Sequence, residues 1–143
     1  MIEIFKQTLS ADEYLELYIS AGWPPPEKEQ IAIALENSTF TVLIKENGKP
    51  VGMGRIIGDG AISYFIKDVV VLPDYQSKGI GKAIIHTILE YIRQTSPIGW
   101  GVCVELISSE NKEGFYEKFG FGKKPGNGMG HGMMALVIGK KNE

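Results

Sequence analysis

An α/β domain built on a mixed sheet is the fold class this sequence of 143 residues predicts. Three observations carry that expectation. Short apolar runs of strand length alternate with segments of helical periodicity. Their order is β-α-α-β-β-β-α-β-α-β-β. No repeat and no long linker interrupts it, so residues 1–143 are expected to fold as one domain with a sizeable core.

Each element has a local reason. Residues 2–6 alternate weakly and read as a strand. Ser10 with Glu13 three positions later forms a capping-box pattern, and Leu15, Leu17, Tyr18 and Ile19 supply an apolar face up to Gly22. Trp23-Pro24-Pro25-Pro26 breaks that helix, because proline lacks a donor and restricts the residue before it. A second helix follows from about Glu27 to Glu36. Phe40–Lys45 and Pro50–Ile57 read as a hairpin around Asn47-Gly48. Ser63–Leu72 is a long strand ending at Pro73. From about Ser77 to Arg93, Ile80, Ile84, Ile88 and Ile92 recur every four residues, which makes an amphipathic helix with His86 on its solvated side. Val102–Ile107 reads as a strand and Asn111–Phe119 as a short helix ended by Gly120. Strands beginning at Phe121 and spanning Met133–Ile138 are expected to close the sheet.

Composition excludes several function classes. Apolar residues make up 43% and charged residues 22%, with a net charge of −2, so nothing points to nucleic-acid binding or disorder. No apolar run is long enough to span a bilayer, and Met1–Lys6 reads as a strand, not an export signal. Cys103 is the single cysteine, which suits a reducing cytoplasm, and its apolar neighbours predict a buried small hydrophobe. Two histidines, His86 and His131, lie far apart without metal-ligand spacing, so no metal site is expected.

The chemistry concentrates at Gln76-Ser77-Lys78-Gly79-Ile80-Gly81-Lys82, between a strand and a helix. The first turn of a helix carries backbone N–H groups without partners and the positive end of the dipole. Glycines there let phosphate oxygens approach the backbone, and lysines add charge, so the stretch suits a pyrophosphate. A P-loop is excluded, since Ala83 stands where the magnesium-binding hydroxyl belongs. A dinucleotide fingerprint is excluded by Ile84.

Gln-x-x-Gly-x-Gly after a strand ending in Val-x-Leu-Pro resembles the acyl-CoA-binding motif of the GNAT N-acetyltransferase superfamily. Asn111-Lys112-Glu113-Gly114-Phe115-Tyr116-Glu117-Lys118-Phe119-Gly120-Phe121 resembles a second segment of that family, one residue shorter in its first spacing. The resemblance covers almost the whole chain and implies the GNAT fold. That fold would have a mostly antiparallel, twisted sheet of about six to seven strands flanked by about four helices. It implies acetyl-CoA as cosubstrate. It also implies that strands Ser63–Leu72 and Val102–Ile107 splay apart, so that the backbone of Val69, Val70 and Val71 binds the pantetheine arm like an added strand. The N–H groups from Ser77 to Lys82 would then hold the pyrophosphate. The family often forms dimers through its C-terminal strands, so a homodimer is compatible with the resemblance.

Acetyl transfer to an amine moves two protons. An alkylamine with a pKa of about 10.4 must lose one, and the departing thiolate gains from a donor. Tyr116 matches the family's usual phenol donor. Asn111 matches a position that often bonds the cofactor arm, and a helix N-cap is the alternative. For the base, Asp68 and Glu105 are candidates; an ion pair with Arg55 or Lys67 is the competing role for each. The resemblance places the acceptor between Trp23 in the first helix–helix loop and the Gly126–Gly132 segment. Trp23 offers a flat apolar surface, with packing over the helix pair as the alternative; Met129 and His131 supply the other candidates.

The expected function is therefore an acetyl-CoA-dependent N-acetyltransferase with a small primary amine as acceptor. Acetylation of a protein or peptide is the nearest alternative. A non-catalytic acyl-CoA-binding module is the alternative from another class.

Overall fold

The computed structural model describes residues 1–126 and 128–140. The chain divides into two compact units, Met1–Leu106 and a second beginning at Ile107.

The first unit holds a five-stranded sheet of sequential order: β1 (Ile2–Lys6), β2 (Phe40–Glu46), β3 (Lys49–Gly58), β4 (Ser63–Val71) and β5 (Cys103–Leu106). The first four pair antiparallel, and β5 runs parallel to β4. Asn47 and Gly48 both take positive φ, 51° and 81°, which gives the hairpin turn the twist its strands need. α1 (Ala11–Ser20) starts at the expected capping box. The Ser10 hydroxyl accepts from the Glu13 N–H at 3.1 Å, and the Glu13 carboxylate accepts from the Ser10 N–H at 2.9 Å. α2 (Lys28–Glu36) follows the proline turn, and α3 (Ile80–Thr95) follows a 3-10 turn at Pro73–Tyr75.

Leu17 and Ile31 from α1 and α2 pack with Leu43, Met53 and Val70 on one face of the sheet. α3 lies against the other face, where Ile80, Ile84, Ile85 and Ile88 are at most 2% exposed. It lies close because β3 presents Gly52 and Gly54 there: a Cβ on Gly54 would sit 2.7 Å from Ile84 Cγ2. Phe40 and Tyr91 stack at 4.1 Å on this side.

The second unit contains α4 (Glu113–Glu117), ended by Gly120 at φ +94°. Here the expectation of six to seven strands is corrected to five. Neither Phe121 nor Met133–Ile138 opens a strand; among the described residues beyond β5 the single bridge joins Gly126 to Met129. A strand exists only through hydrogen bonds to a neighbour. The side chains of Met133, Met134, Leu136, Val137 and Ile138 are exposed, so this apolar run is no part of a core. Cys103 is corrected as well, from buried to exposed. Alternation along β5 puts it on the same side as Glu105, also exposed, while Val104 and Leu106 are half-buried.

Candidate functional site

The turn before α3 is shaped by two left-handed residues, Ser77 at φ 63° and Gly79 at φ 84°. Gly79 is the N-cap, and no side chain caps the helix behind it. The Ala83 N–H already bonds the Gly79 carbonyl at 3.0 Å, which leaves the N–H groups of Ile80, Gly81 and Lys82 as the helix's open donors. No acidic residue stands in this first turn, and Lys78 and Lys82 flank it. Such an end attracts an anion through both its N–H groups and its dipole. Gln76 turns back toward β4 instead: its side-chain amide donates to the Val71 carbonyl at 3.1 Å.

β4 is open along one side of its second half. β5 pairs only with Ser63–Ile66, so among the described residues no strand lines the far edge of Lys67–Val71. Leu72 donates its N–H to the Val51 carbonyl at 2.9 Å, toward β3. Alternation therefore turns the backbone of Val71, and of Val69 two residues earlier, toward the open edge. Val70 points its backbone to β3 and buries its side chain beside Met53.

A β-bulge sits in the middle of this strand. Val70 pairs with Met53 and Lys67 with Arg55, so Asp68 and Val69 together face the single residue Gly54. Asp68 takes φ 56°, a left-handed value for a non-glycine residue. The extra residue reverses the side-chain alternation. Ile66, paired with Ile56, points toward α3, and without the bulge Asp68 would point there too. Instead Asp68 emerges on the α1 side. There its Oδ2 accepts from the Tyr14 hydroxyl at 2.7 Å and from Arg55 Nε at 2.7 Å. Arg55 Nη1 also donates to the Ser38 hydroxyl at 3.2 Å, and Ser38 donates to the Ala34 carbonyl at 2.8 Å.

This network is enclosed: the Arg55 and Asp68 side chains are 13% and 11% exposed. Burial, followed by the bond to Asp68, pushes the Tyr14 phenol well above its usual range. Burial, and then the nearby Asp68 charge, also raises Tyr18. Asp68 Oδ1 makes no hydrogen bond among the described residues and is not enclosed, so one carboxylate oxygen stays open. Tyr14 stacks on Tyr18 at 5.3 Å, and Tyr18 meets Trp23 edge-on at 5.1 Å. Trp23 is half-buried against the α1–α2 core, so it packs there as well as offering one side outward. Glu105 pairs in register with Phe65, which carries it on the sheet face of Lys67 and Arg55; it makes no ion pair among the described residues.

In the second unit, Tyr116 is half-buried on α4, edge-on to Phe115 at 5.0 Å and Phe121 at 6.2 Å. Burial raises its phenol above the usual range, so it stays protonated at neutral pH. Asn111 is exposed at φ 65° and is not the helix cap. Lys112 holds that position without a side-chain bond, and the Asn111 N–H donates to Glu113 Oε1 at 3.2 Å. Met129 and His131 are exposed beside the Gly126–Met129 bridge, and Asn127 lies outside the described residues.

Tyr14 carries no functional signal in the sequence, and the apolar face read there does not include it. The polar network beneath it has no local signature. A cavity of about 410 Å³ lies between the end of α3 and β5, lined by Leu89, Ile92, Trp100 and Val104 among others. It holds no carboxylate, histidine, cysteine or tyrosine, so it offers no proton chemistry. Among the described residues no group of three or more His, Cys, Asp or Glu side chains is placed to hold a metal, and no helix is long and apolar enough to cross a membrane.

Comparison with known proteins adds an independent finding. The sequence profile described as "Acetyltransferase (GNAT) domain" matches residues 36–123. An uncharacterized N-acetyltransferase, ycf52, of Pyropia yezoensis is 33% identical over 82% of this chain and 71% of its own. A rice protein named serotonin N-acetyltransferase 2, chloroplastic, is 31% identical over 77% of this chain, which spans 55% of that protein. Among solved structures, a Staphylococcus aureus protein of unknown function described as a probable acetyltransferase superposes with a TM-score of 0.83. It is 31% identical, and the match covers 96% of this chain and all of the other.

Proposed function

This chain belongs to the GNAT acetyltransferase family, and from that premise we propose that it moves an acetyl group from acetyl-CoA to a primary amine of a small molecule. The observation that carries the reading is the pairing of an open β4 edge at Val69–Val71 with the uncapped N-terminus of α3. Val69, Val70 and Val71 then serve the pantetheine arm as a neighbouring strand would, and an N–H of that edge polarises the thioester carbonyl. The turn from Gln76 to Lys82 serves the pyrophosphate, and Asn111 serves the cofactor arm. Gln76 contributes by fixing the Val71 carbonyl rather than by touching phosphate.

The amine nitrogen attacks the thioester carbon, a C–N bond forms and the C–S bond breaks. Asp68 accepts the amine proton through Oδ1, directly or through water, and Glu105 adds negative charge from the same sheet face. Tyr116 gives its proton to the departing thiolate, a role open to it because a phenol is protonated at neutral pH. Trp23, Met129 and His131 are our candidates for recognising the acceptor. Relatives named for serotonin and for histone acetylation both match this chain, so the choice of a small amine rests on the Trp23 surface and the adaptable methionines. The single Cys103 suits a reducing compartment, and the cytoplasm is our assignment.

Melting of the purified chain with acetyl-CoA, and with ATP as control, is the direct test. Ligand at 100 times its dissociation constant stabilises by about 2.7 kcal/mol, a shift of several degrees. A shift specific to acetyl-CoA followed by amine-dependent thiol release supports the assignment. A shift without thiol release for any amine or peptide leaves an acyl-CoA-binding module. No shift at millimolar acetyl-CoA removes the cofactor and the enzyme together.

A further inference from the structure

Lys49 opens β3 just after the hairpin turn, and Lys78 lies in the turn before α3. The chain brings both to one ring. Lys49 Nζ lies 5.5 Å from the centroid of Tyr75, and Lys78 Nζ lies 5.2 Å from it. The antiparallel pairing explains the meeting: Leu72 bonds Val51 across the strands, so the start of β3 stands beside the exit of β4, where Tyr75 follows. Among the described residues neither ammonium forms an ion pair with a carboxylate. Both lysines are exposed, and Tyr75 is half-buried.

Two unopposed ammonium groups held on one ring repel each other, since they lie within about one Debye length. Cation–π attraction to Tyr75 offsets that repulsion and draws both groups to the ring. The product is a pair of positive charges gathered next to the turn assigned above to the pyrophosphate. A phosphate monoester carries a charge of about −1.5 to −2 at neutral pH and suits such a pair. Coenzyme A carries one, on the ribose 3′ oxygen of the same nucleotide that bears the pyrophosphate.

We propose that Lys49, Tyr75 and Lys78 form a subsite for the 3′-phosphate of acyl-CoA, through which the protein distinguishes coenzyme A from its 3′-dephospho form. The proposal rests on the acetyl-CoA reading above, with Lys78 at the boundary between the two phosphate positions. Lys49 is its independent member, because it belongs to a hairpin that neither family motif includes.

Calorimetric titration of the whole chain with CoA and with 3′-dephospho-CoA, in wild type and Lys49→Gln, tests it. Wild type is expected to bind CoA about tenfold more tightly than dephospho-CoA, with the difference shrinking as salt rises. Lys49→Gln should weaken CoA several-fold and leave dephospho-CoA unchanged; melting checks that the variant is folded. Equal affinity of wild type for both ligands overturns the subsite alone. Equal weakening of both ligands by Lys49→Gln also overturns it and assigns the charge to the pyrophosphate. If wild type binds neither, the acetyl-CoA reading itself fails and the subsite goes with it.

Discussion

Tyr14 and Asp68, 54 positions apart, share a 2.7 Å hydrogen bond that ties α1 to the bulge of β4. The bond explains how a carboxylate is kept in a left-handed backbone conformation at the middle of a strand. Asp68 is held from two directions, by the Tyr14 phenol and the Arg55 guanidinium, both on Oδ2. Tyr14→Phe should cost about 1.5–3 kcal/mol in urea unfolding, the range for a hydrogen bond to a charged group. It should also remove a pH dependence. The folded Tyr14 pKa is raised above the unfolded value of about 10, so its stabilising contribution is complete below that pH. Above it the unfolded chain loses a proton that the folded one keeps, and stability falls with rising pH. Wild type should therefore lose more stability between about pH 9.5 and about pH 11 than Tyr14→Phe does. Parallel curves would mean that Tyr14 does not hold its proton.

Asp68→Asn keeps the shape of the side chain and removes the charge. Loss of a general base lowers kcat by about 10²–10⁴-fold, and the melting shift with acetyl-CoA should survive. Since Asp68 also neutralises the half-enclosed Arg55, Asp68→Ala should in addition cost about 3 kcal/mol of stability. A kcat for Asp68→Asn within twofold of wild type would leave Asp68 a purely structural partner of Arg55.

Tyr116→Phe should lower kcat by about 10²-fold while leaving the KM for acetyl-CoA near its wild-type value. That split is the mark of a group acting only as the thiolate departs. Unchanged turnover would pass the donor role to another group or to water.

Gly54→Ala places a methyl group 2.7 Å from Ile84 Cγ2 and 3.3 Å from Ile88 Cδ1, where α3 crosses β3. Overpacking of this kind costs about 1–3 kcal/mol, so the melting midpoint should drop by several degrees. An unaltered midpoint would show that α3 rides farther from the sheet.

Gly81→Glu sets a carboxylate among the open N–H groups at the start of α3. It should neutralise the anion site and abolish the acetyl-CoA melting shift, with folding preserved. Wild-type affinity in this variant would move the phosphates elsewhere.

Element identity in the first unit could be read from the chain because local rules governed it. The Ser10–Glu13 box starts α1, Asn47-Gly48 makes the hairpin, and the four-residue spacing from Ile80 to Ile92 builds the buried stripe of α3. The Gln-x-x-Gly-x-Gly turn could be read for the same reason, since glycine at φ 84° and an uncapped helix start are properties of neighbouring residues. Cys103 was legible in principle: Glu105 two residues on marks its side of the strand as polar.

Local rules thus fixed the order of the elements through α4, the caps and turns of the first unit, and the motifs by which the family is recognised. Which polar side chains come together depended on long-range contacts. A bulge is one residue of mismatch between β4 and β3, invisible in either strand alone, yet it moves Asp68 from the α3 side to the α1 side. The same holds for Tyr14, Arg55 and Ser38, which join Asp68 from three other places in the chain, and for Lys49, which reaches Tyr75 across a hairpin. The apolar run Met133–Ile138 has the composition of a strand, but pairing is a property of two segments, and the structure gives it none among the described residues. Local propensity chooses backbone shape residue by residue, whereas hydrogen-bond register and burial depend on partners distant in the chain.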